Sequence, residues 1–159
     1  AERPLNLEIA SDVADLSVGT KVKLYFSSVG PAGGLIYFVP VTRQIPPQND
    51  PLAAVILELT QGPAPGSGLH ADIPMNTQLR SIKLEGGVVY ADFSSDLIGY
   101  GGGTAAENAM LGALILSLTD IPGVSSVKIT INGQTPALPE GTDISQPVTR
   151  PMFVNPFIL

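Results

Sequence analysis

The single histidine of the chain lies close to an aspartate, and this pairing could serve hydrolytic chemistry. His70 and Asp72 are two residues apart, and an imidazole that is oriented by a carboxylate can act as a general base for a nucleophilic hydroxyl. The sequence has no G-x-S-x-G motif, and Ser67 lies in a run of glycine and proline rather than at a strand-to-helix turn. We therefore expect no catalytic triad.

Carboxylates further along the chain could bind a hard cation or act as an acid and base pair. Asp92 and Asp96 are four residues apart, with Glu107 beyond them, but this spacing matches no calcium-binding loop. An aspartate at a strand end more commonly accepts hydrogen bonds from the turn that follows. The chain has no cysteine, which excludes thiolate nucleophiles and cysteine-ligated metals. We expect no metal, no cofactor and no enzymatic activity.

A glycine-rich loop between a predicted strand and a predicted helix is the candidate ligand site. Its residues are Gly99, Gly101, Gly102, Gly103 and Thr104, and backbone N–H groups at a helix N-terminus can bind a phosphate. The loop lacks the lysine of a P-loop, and a threonine stands where the dinucleotide-binding motif has its third glycine. The simpler interpretation is a flexible connection to the helix.

Composition excludes several classes of partner. The net charge is −6, which would repel the phosphate backbone of a nucleic acid. The longest apolar run, residues 109–116, is far shorter than the roughly 20 residues of a membrane span. Because the chain starts without Met or an apolar leader, we expect that any N-terminal anchor has been removed. Only 14% of the residues are charged, which favours an oligomer or a large interface.

Hydrophobic periodicity predicts the elements of the first half of the chain. Alternation from Thr20 to Ser27 predicts a strand, and glycines after it predict a turn to a second strand that begins at Leu35. Tyr25, Tyr37 and Phe38 on these strands could form a binding platform, but at such positions they are more typical of core or cross-strand pairs. Asp50 before Pro51 predicts an N-cap and a helix over 51–61.

The second half repeats the strand, strand, helix order and adds a strand. Residues 79–84 and 88–93 flank a glycine turn and predict a hairpin. Thr104 and Glu107 match a capping box, which predicts a helix over 105–121 that is apolar around most of its circumference. Alternation over 127–131 predicts one more strand.

This order predicts an α+β fold, a two-layer sandwich with one mixed, mainly antiparallel sheet of about five strands and both helices on one face. Residues 20–133 form the predicted domain. An N-terminal arm or edge strand is predicted for residues 1–19. Residues 134–159 are rich in proline, which disfavours a central strand, and we expect this tail to dock through Phe153 and Phe157.

The chain resembles the GerM domain family of sporulation and spore germination proteins. The likeness extends over roughly Thr20 to Arg150, and its strength lies in the order and spacing of several segments. These are Leu24–Phe26, Val41–Pro46, Leu59–Pro63, Ile73–Pro74, Val89–Ser94, Gly103–Glu107, Leu118–Val124 and Val127–Gly133.

The resemblance implies an extracytoplasmic, membrane-anchored envelope domain that has no catalytic residues. Domains of this family are similar to the ring-building modules of secretion systems, so the implied partners are further copies of the chain or other envelope proteins. The implied setting is the channel between mother cell and forespore. The alternative is an envelope domain that binds a cell-wall fragment or a small anion at the loop from Gly99 to Thr104.

Overall fold

The computed structural model describes residues 20–29, 36–47 and 50–150. The predicted N-terminal arm and the candidate interface residues Phe153 and Phe157 lie outside the described part of the chain. Within it, the helices and strands follow the predicted order, and the fold is α+β as expected.

The first two strands form the predicted antiparallel hairpin. Strand β1 is Thr20–Val29 and strand β2 is Ile36–Ile45, and the first residue of β1 pairs with the last residue of β2. Strand β2 is longer than predicted because its pairing with β1 continues to its last residue. The alternate apolar residues of β1, which are Val22, Leu24 and Phe26, are all buried.

Helix α1 spans Pro51–Gln61 and begins as the sequence predicts. The carboxylate of Asp50 accepts hydrogen bonds from the backbone N–H groups of Leu52 and Ala53, at 3.1 and 3.2 Å. These bonds satisfy two donors that have no partner within the helix. The helix ends at Gly62.

A second sheet is built from strands of the second half of the chain. Its first two strands form an antiparallel hairpin. Its two central strands are parallel, and the helix that connects them in sequence supplies the crossover that parallel neighbours require. In sheet order the strands are β3 (Leu79–Glu85), β4 (Val88–Phe93), β5 (Ser126–Ile131) and the short β6 (Val148–Thr149).

Helix α2 spans Gly103–Thr119 and is buried along most of its length. It lies against β1 and β2 on one side, contacts β5 and β6 on another, and also packs on α1. A helix covered from several directions has no solvent-facing stripe, which explains why its sequence is apolar nearly all round.

The described strands form two sheets, of two and four strands, where the sequence predicted one. Among the described residues, one isolated β-bridge, between Ser27 and His70, joins β1 to the chain beyond β2. Helix α2 contacts strands of both sheets, so the hairpin is joined to the second sheet mainly by side-chain packing on that helix rather than by a continuous hydrogen-bond ladder.

Residues 134–150, the first part of the predicted tail, pack onto the domain. Leu138, Ile144 and Val148 are buried in the same apolar core as the helices, and β6 extends the second sheet beyond β5. The core therefore includes residues beyond the predicted boundary at residue 133.

Candidate functional site

The glycine-rich loop connects a short 3₁₀ helix, Ser95–Ile98, to helix α2. The N-cap of α2 is Gly102, with a φ of 104°, which L-residues with a side chain rarely adopt. A Cβ at this position would also lie 3.2 Å from the Cβ of Ala106. Glycine is therefore required at this turn to start the helix.

The predicted capping box is wrong. The helix starts at Gly103, and no side chain forms a cap hydrogen bond to its first turn. The Glu107 carboxylate instead accepts hydrogen bonds from the Tyr100 hydroxyl at 2.7 Å and from the backbone N–H of Glu140 at 2.8 Å. Thr142 adds its backbone N–H at 3.1 Å and its hydroxyl. Glu107 therefore joins the loop to residues 140–142.

The Glu107 carboxylate stays ionised although the residue is fully buried. Burial alone would raise its pKa, but the hydrogen bonds from Thr142, Tyr100 and the backbone N–H of Glu140 outweigh burial and lower the pKa. Burial and the bond to Glu107 raise the pKa of Tyr100, so its hydroxyl remains a donor. With all these donors directed at it, Glu107 acts as a structural anchor.

A cleft of about 400 Å³ lies beside the loop. One wall carries the carboxylate of Asp72, whose oxygens accept hydrogen bonds from the backbone N–H and the hydroxyl of Ser27, at 3.2 and 2.9 Å. Burial raises the pKa of Asp72, and the bonds from Ser27 and the charge of His70 offset this only in part. The lining residues are Ala71, Asp72, Pro74, Gly99, Tyr100, Gly101 and Ala106.

The cleft is poorly suited to an anion. Of the five predicted loop residues, Gly99 and Gly101 line it, whereas Gly102, Gly103 and Thr104 do not. Asp72 also lines the cleft, and its carboxylate would repel a phosphate and favour a ligand that brings hydrogen-bond donors or a positive charge. No short-range pattern around Asp72 indicated that it would line the same cleft as Gly99 and Gly101.

His70 and Asp72 do not form a triad with a nearby hydroxyl. The Ser27 hydroxyl donates to Asp72, and His70 contributes its backbone N–H to the Ser27 carbonyl at 2.9 Å. Among the hydrogen bonds of the described residues, none joins the imidazole to this serine. The serine is 3% exposed, so its oxygen is not positioned to attack a substrate.

Asp92 and Asp96 serve separate local structures. Asp92 accepts hydrogen bonds from the Thr130 hydroxyl at 2.7 Å and the Gly133 N–H at 2.8 Å, and pairs with Arg80 at 3.1 Å. Burial alone would raise its pKa, but these partners lower it. The turn that it caps follows β5 rather than its own strand. In the part of the chain that the structure describes, no group of acidic residues and histidine could hold a metal ion.

A second concave surface, which sequence reasoning missed, lies at the C-terminal end of α2. This lysine groove has a volume of about 470 Å³. Its walls combine aliphatic and proline side chains with two lysines, and the neighbouring residues 117 and 120–122 come from the helix end. The lining residues are Thr20, Lys21, Val22, Lys23, Thr42, Pro51, Val55, Ser117, Asp120, Ile121 and Pro122.

Charges in the lysine groove are only partly paired. Asp120 lies 3.7 Å from the Lys23 ammonium and 3.6 Å from the Arg150 guanidinium, and it accepts a hydrogen bond from the Tyr25 hydroxyl. Lys21 is exposed and forms no ion pair within residues 20–29, 36–47 and 50–150. The groove therefore presents apolar walls and a positive rim.

The comparison with known families decides the relationship. The model of the Germane family, described as sporulation and spore germination, matches residues 23–137. The chain belongs to this GerM family. The match starts within β1, includes both helices, β2 to β5 and the glycine-rich loop, and ends before Glu140.

One curated relative is similar over nearly all of this GerM-family chain. Spore germination protein GerM of Bacillus subtilis (strain 168) is 33% identical over 156 residues, which are 95% of this chain and 42% of that protein. The chain thus spans about two fifths of the length of this curated relative.

Solved structures show the same fold. The tandem GerMN domains of the sporulation protein GerM from Bacillus subtilis superpose with a TM-score of 0.76 at 30% identity, covering 89% of this chain and 49% of that chain. A protein of Clostridium perfringens assigned as a lipoprotein has a TM-score of 0.60 at 22% identity, over 84% of this chain and 90% of its own.

Among the described residues, no helix is long and apolar enough to cross a membrane.

Proposed function

We propose that this GerM-family domain is a non-catalytic, extracytoplasmic assembly domain of the spore-forming cell. It binds further copies of itself or other envelope proteins, and it contributes to a ring at the channel between mother cell and forespore. The full-length protein is held at the membrane by an N-terminal anchor. Membership of a sporulation and germination family supports the setting, and the lysine groove carries the argument for protein binding.

The lysine groove has the chemistry of a protein interface. Val22, Val55 and Ile121 supply apolar wall, while Lys21 and Lys23 supply a charged rim. Apolar centres with polar, solvent-accessible rims are typical of protein–protein contacts. The residues come from β1, β2, α1 and the end of α2, so the folded domain holds the surface in one shape before a partner arrives.

The carboxylates that could have served catalysis have structural roles instead. Asp72 is bonded to Ser27, Asp92 to Thr130 and Gly133, and Glu107 to the segment around residue 140. An acid or base must reach the proton it transfers, and each of these carboxylates already accepts hydrogen bonds from donors of the fold. This arrangement supports a domain without enzymatic activity.

Site-specific photo-crosslinking in sporulating cells tests the proposed function. A photoreactive amino acid replaces Thr42 in the lysine groove, and a matched variant carries it at Lys83, which is exposed on the second sheet. We expect protein adducts from the groove position in excess of those from the sheet position. Equal or absent adducts would overturn the assignment of this groove as a protein-binding surface.

A turnover assay tests the non-catalytic part separately. Peptidoglycan and generic ester and phosphoester substrates should remain intact after incubation with the purified chain. Hydrolysis that is lost in His70→Ala or Asp92→Ala would show that the domain is an enzyme.

A second candidate function rests on the cleft beside the glycine-rich loop. The alternative is an envelope domain that binds a cell-wall fragment, and the Asp72 carboxylate on the cleft wall favours a fragment with a free ammonium group over a small anion. Calorimetric titration with amine-bearing muropeptides and with inorganic phosphate distinguishes the two ligands. Muropeptide binding that Asp72→Asn weakens would support this function, and no heat with either ligand would exclude it.

A further inference from the structure

Opposite ends of helix α2 carry surfaces of opposite charge. The lysine groove lies at the C-terminal end of the helix, and residues 138–141 lie near its N-terminal end because the N–H of Glu140 is bonded to Glu107. The helix has 17 residues, which corresponds to about 25 Å between its ends at 1.5 Å per residue. One molecule can therefore present both surfaces at the same time.

The surface at the N-terminal end is a turn with an acidic tip. In this acidic turn, Leu138–Gly141, the N–H of Gly141 donates to the carbonyl of Leu138 at 2.9 Å. Leu138 is buried and anchors the turn, while Pro139 and Glu140 are exposed at its tip. Proline at the second position and glycine at the fourth are typical of a type I turn. The tip therefore offers an apolar ring followed by a carboxylate.

The acidic turn is held in shape by a buried side chain. Glu107 accepts hydrogen bonds from the backbone N–H of Glu140 and from Thr142, on the tip and just beyond it. A pre-ordered turn loses little conformational freedom when it binds, which preserves affinity. The Glu140 side chain forms no ion pair with any cation in the described part of the chain.

The turn and the groove are complementary in apolarity and charge. Pro139 would contact the aliphatic walls of the groove, and the carboxylate of Glu140 would face the ammonium group of Lys21, which also lacks an ion-pair partner among the described residues. Of the two lysines of the groove, Lys23 has a local role, since it pairs with Asp120 at the C-terminal end of α2, where cations are favoured. Lys21 is free of that role.

We propose that the lysine groove binds the acidic turn, Leu138–Gly141, of a second copy of this chain. The contact is heterologous, because the two surfaces are different and lie at opposite ends of the molecule. Repetition of a heterologous contact gives a ring when the rotation closes and a filament when it does not. This inference rests on the proposed assembly function and specifies which surfaces join the copies.

The contact between soluble molecules is expected to be weak. A groove of about 470 Å³ that accepts one turn buries less than the roughly 1,200–2,000 Å² of a stable interface. Ring closure or attachment of several copies to one membrane raises the effective concentration and strengthens such contacts. Self-association should therefore appear at high protein concentration and weaken as salt increases.

A charge-swap experiment tests the contact. Sedimentation velocity up to about 1 mM chain is measured for the parent, for Lys21→Glu, for Glu140→Lys and for an equimolar mixture of these two variants. Each single variant should associate about tenfold more weakly, because like charges then face each other. The mixture should recover association, since each reversed surface meets a complementary one. Lys83→Glu and Glu85→Lys, both exposed on the second sheet, are the matched controls.

Three results would overturn the inference. The first is a parent chain that stays monomeric over the whole concentration range. The second is a single variant that associates as strongly as the parent. The third is an equimolar mixture that associates as weakly as each variant alone. The cellular crosslinks from Thr42 remain a separate test: adducts with a different protein, together with a monomeric chain, would retain the assembly function and reject the second copy as the partner.

Discussion

Glu107 is a buried carboxylate that is stabilised by hydrogen bonds. It has no ion-pair partner among the described residues, yet Tyr100, Glu140 and Thr142 all donate to it. A buried charge is costly unless polar partners replace its water. Because those partners belong to the loop before α2 and to a segment about 35 residues further along, this one side chain links two separate parts of the chain.

Glu107→Gln should destabilise the domain by about 1–3 kcal/mol at neutral pH, because charge-assisted hydrogen bonds are lost and a buried amide replaces an acceptor. The pKa of Glu107 is lower in the folded chain than in the unfolded one. Its contribution is therefore present above the unfolded-state pKa and is lost as pH falls through the folded-state pKa. Urea denaturation from pH 7 to pH 3 should show the difference between parent and variant narrowing in acid.

The control for Glu107→Gln is Glu140→Gln, which changes an exposed carboxylate but keeps the backbone N–H that Glu140 donates to Glu107. It should leave the unfolding free energy within about 0.5 kcal/mol of the parent. Asp92, whose pKa is also lowered, is present in every variant, so its effect cancels in the comparison. If the difference in unfolding free energy between the parent and Glu107→Gln grew in acid, it would contradict the anchoring role of an ionised Glu107.

Thr104→Ala and Asp50→Ala test which predicted helix caps exist. The Asp50 carboxylate accepts two backbone N–H bonds at the start of α1, and its loss should cost about 1 kcal/mol. No side chain caps α2, so Thr104→Ala should change stability by less than about 0.5 kcal/mol. Equilibrium urea denaturation measures both. If Thr104→Ala lowered the unfolding free energy as much as Asp50→Ala does, a threonine cap would have to form in solution.

Helix α2 approaches strand β2 closely at a glycine. A Cβ added to Gly112 would overlap the ring of Phe38, so the absence of a side chain allows the aromatic ring to lie directly on the helix. A glycine inside a helix is usually unfavourable relative to alanine. At this position the close packing of ring and backbone determines the residue type.

Gly112→Ala should therefore destabilise the domain by about 1–3 kcal/mol, as overpacked core substitutions do, despite the better helix propensity of alanine. Gly101→Ala is the matched control, because a Cβ at Gly101 meets no atom within 4 Å and its effect should be small. Thermal and urea denaturation of both variants make the comparison. In a Phe38→Leu background, Gly112→Ala should lower the unfolding free energy by less. An unchanged loss would show that the added Cβ clashes with a residue other than Phe38.

Both helices end against an arginine from another element. Arg43 of β2 donates to the carbonyls of Glu58 and Gly62 at the end of α1, at 3.4 and 3.0 Å. Arg150 donates to the carbonyl of Leu116 at the end of α2, at 2.9 Å. Helix C-termini leave carbonyl groups without partners, and cations are favoured there. Neither helix has a basic residue in its own last turn, so the fold supplies the charge.

The packing of residues 134–150 completes the core of the domain. Leu138, Ile144 and Val148 are buried, and Arg150 lies over the ring of Tyr25 at 5.2 Å and bonds its hydroxyl at 2.8 Å. These contacts join the end of the described chain to its first strand. Residues 134–150 therefore share one apolar core with the rest of the domain.

Removal of residues 134–159 should unfold or severely destabilise the domain, since three apolar side chains leave the core and Glu107 loses the donors of Glu140 and Thr142. Hydrogen exchange on the full chain provides the direct measurement. Backbone N–H groups of Glu140 and Thr142 should be protected to a similar degree as those of β5. Arg150→Gln is a milder variant that should lower stability by about 1 kcal/mol, and rapid exchange over 138–148 in the parent would contradict the packing.

Local sequence signals were sufficient for the order of elements and for several of their ends. Alternation in β1 and the Asp50–Pro51 start of α1 are patterns among near neighbours, where backbone geometry relates spacing directly to structure. The family resemblance was also readable, because it depends on ordered segments of the sequence itself. The all-round apolar character of α2 correctly indicated burial, but not which elements cover it.

The arrangement of distant residues was decided only by the tertiary structure. The spacing of Thr104 and Glu107 satisfies a capping box, yet Glu107 bonds to Glu140, 33 residues away, because burying its charge requires more donors than one helix turn offers. Helix α2 packs against strands of both sheets, and the lysine groove joins residues 20–23 to the end of α2. Such features are absent from any short window of sequence, since they arise from contacts that exist only after the chain has folded.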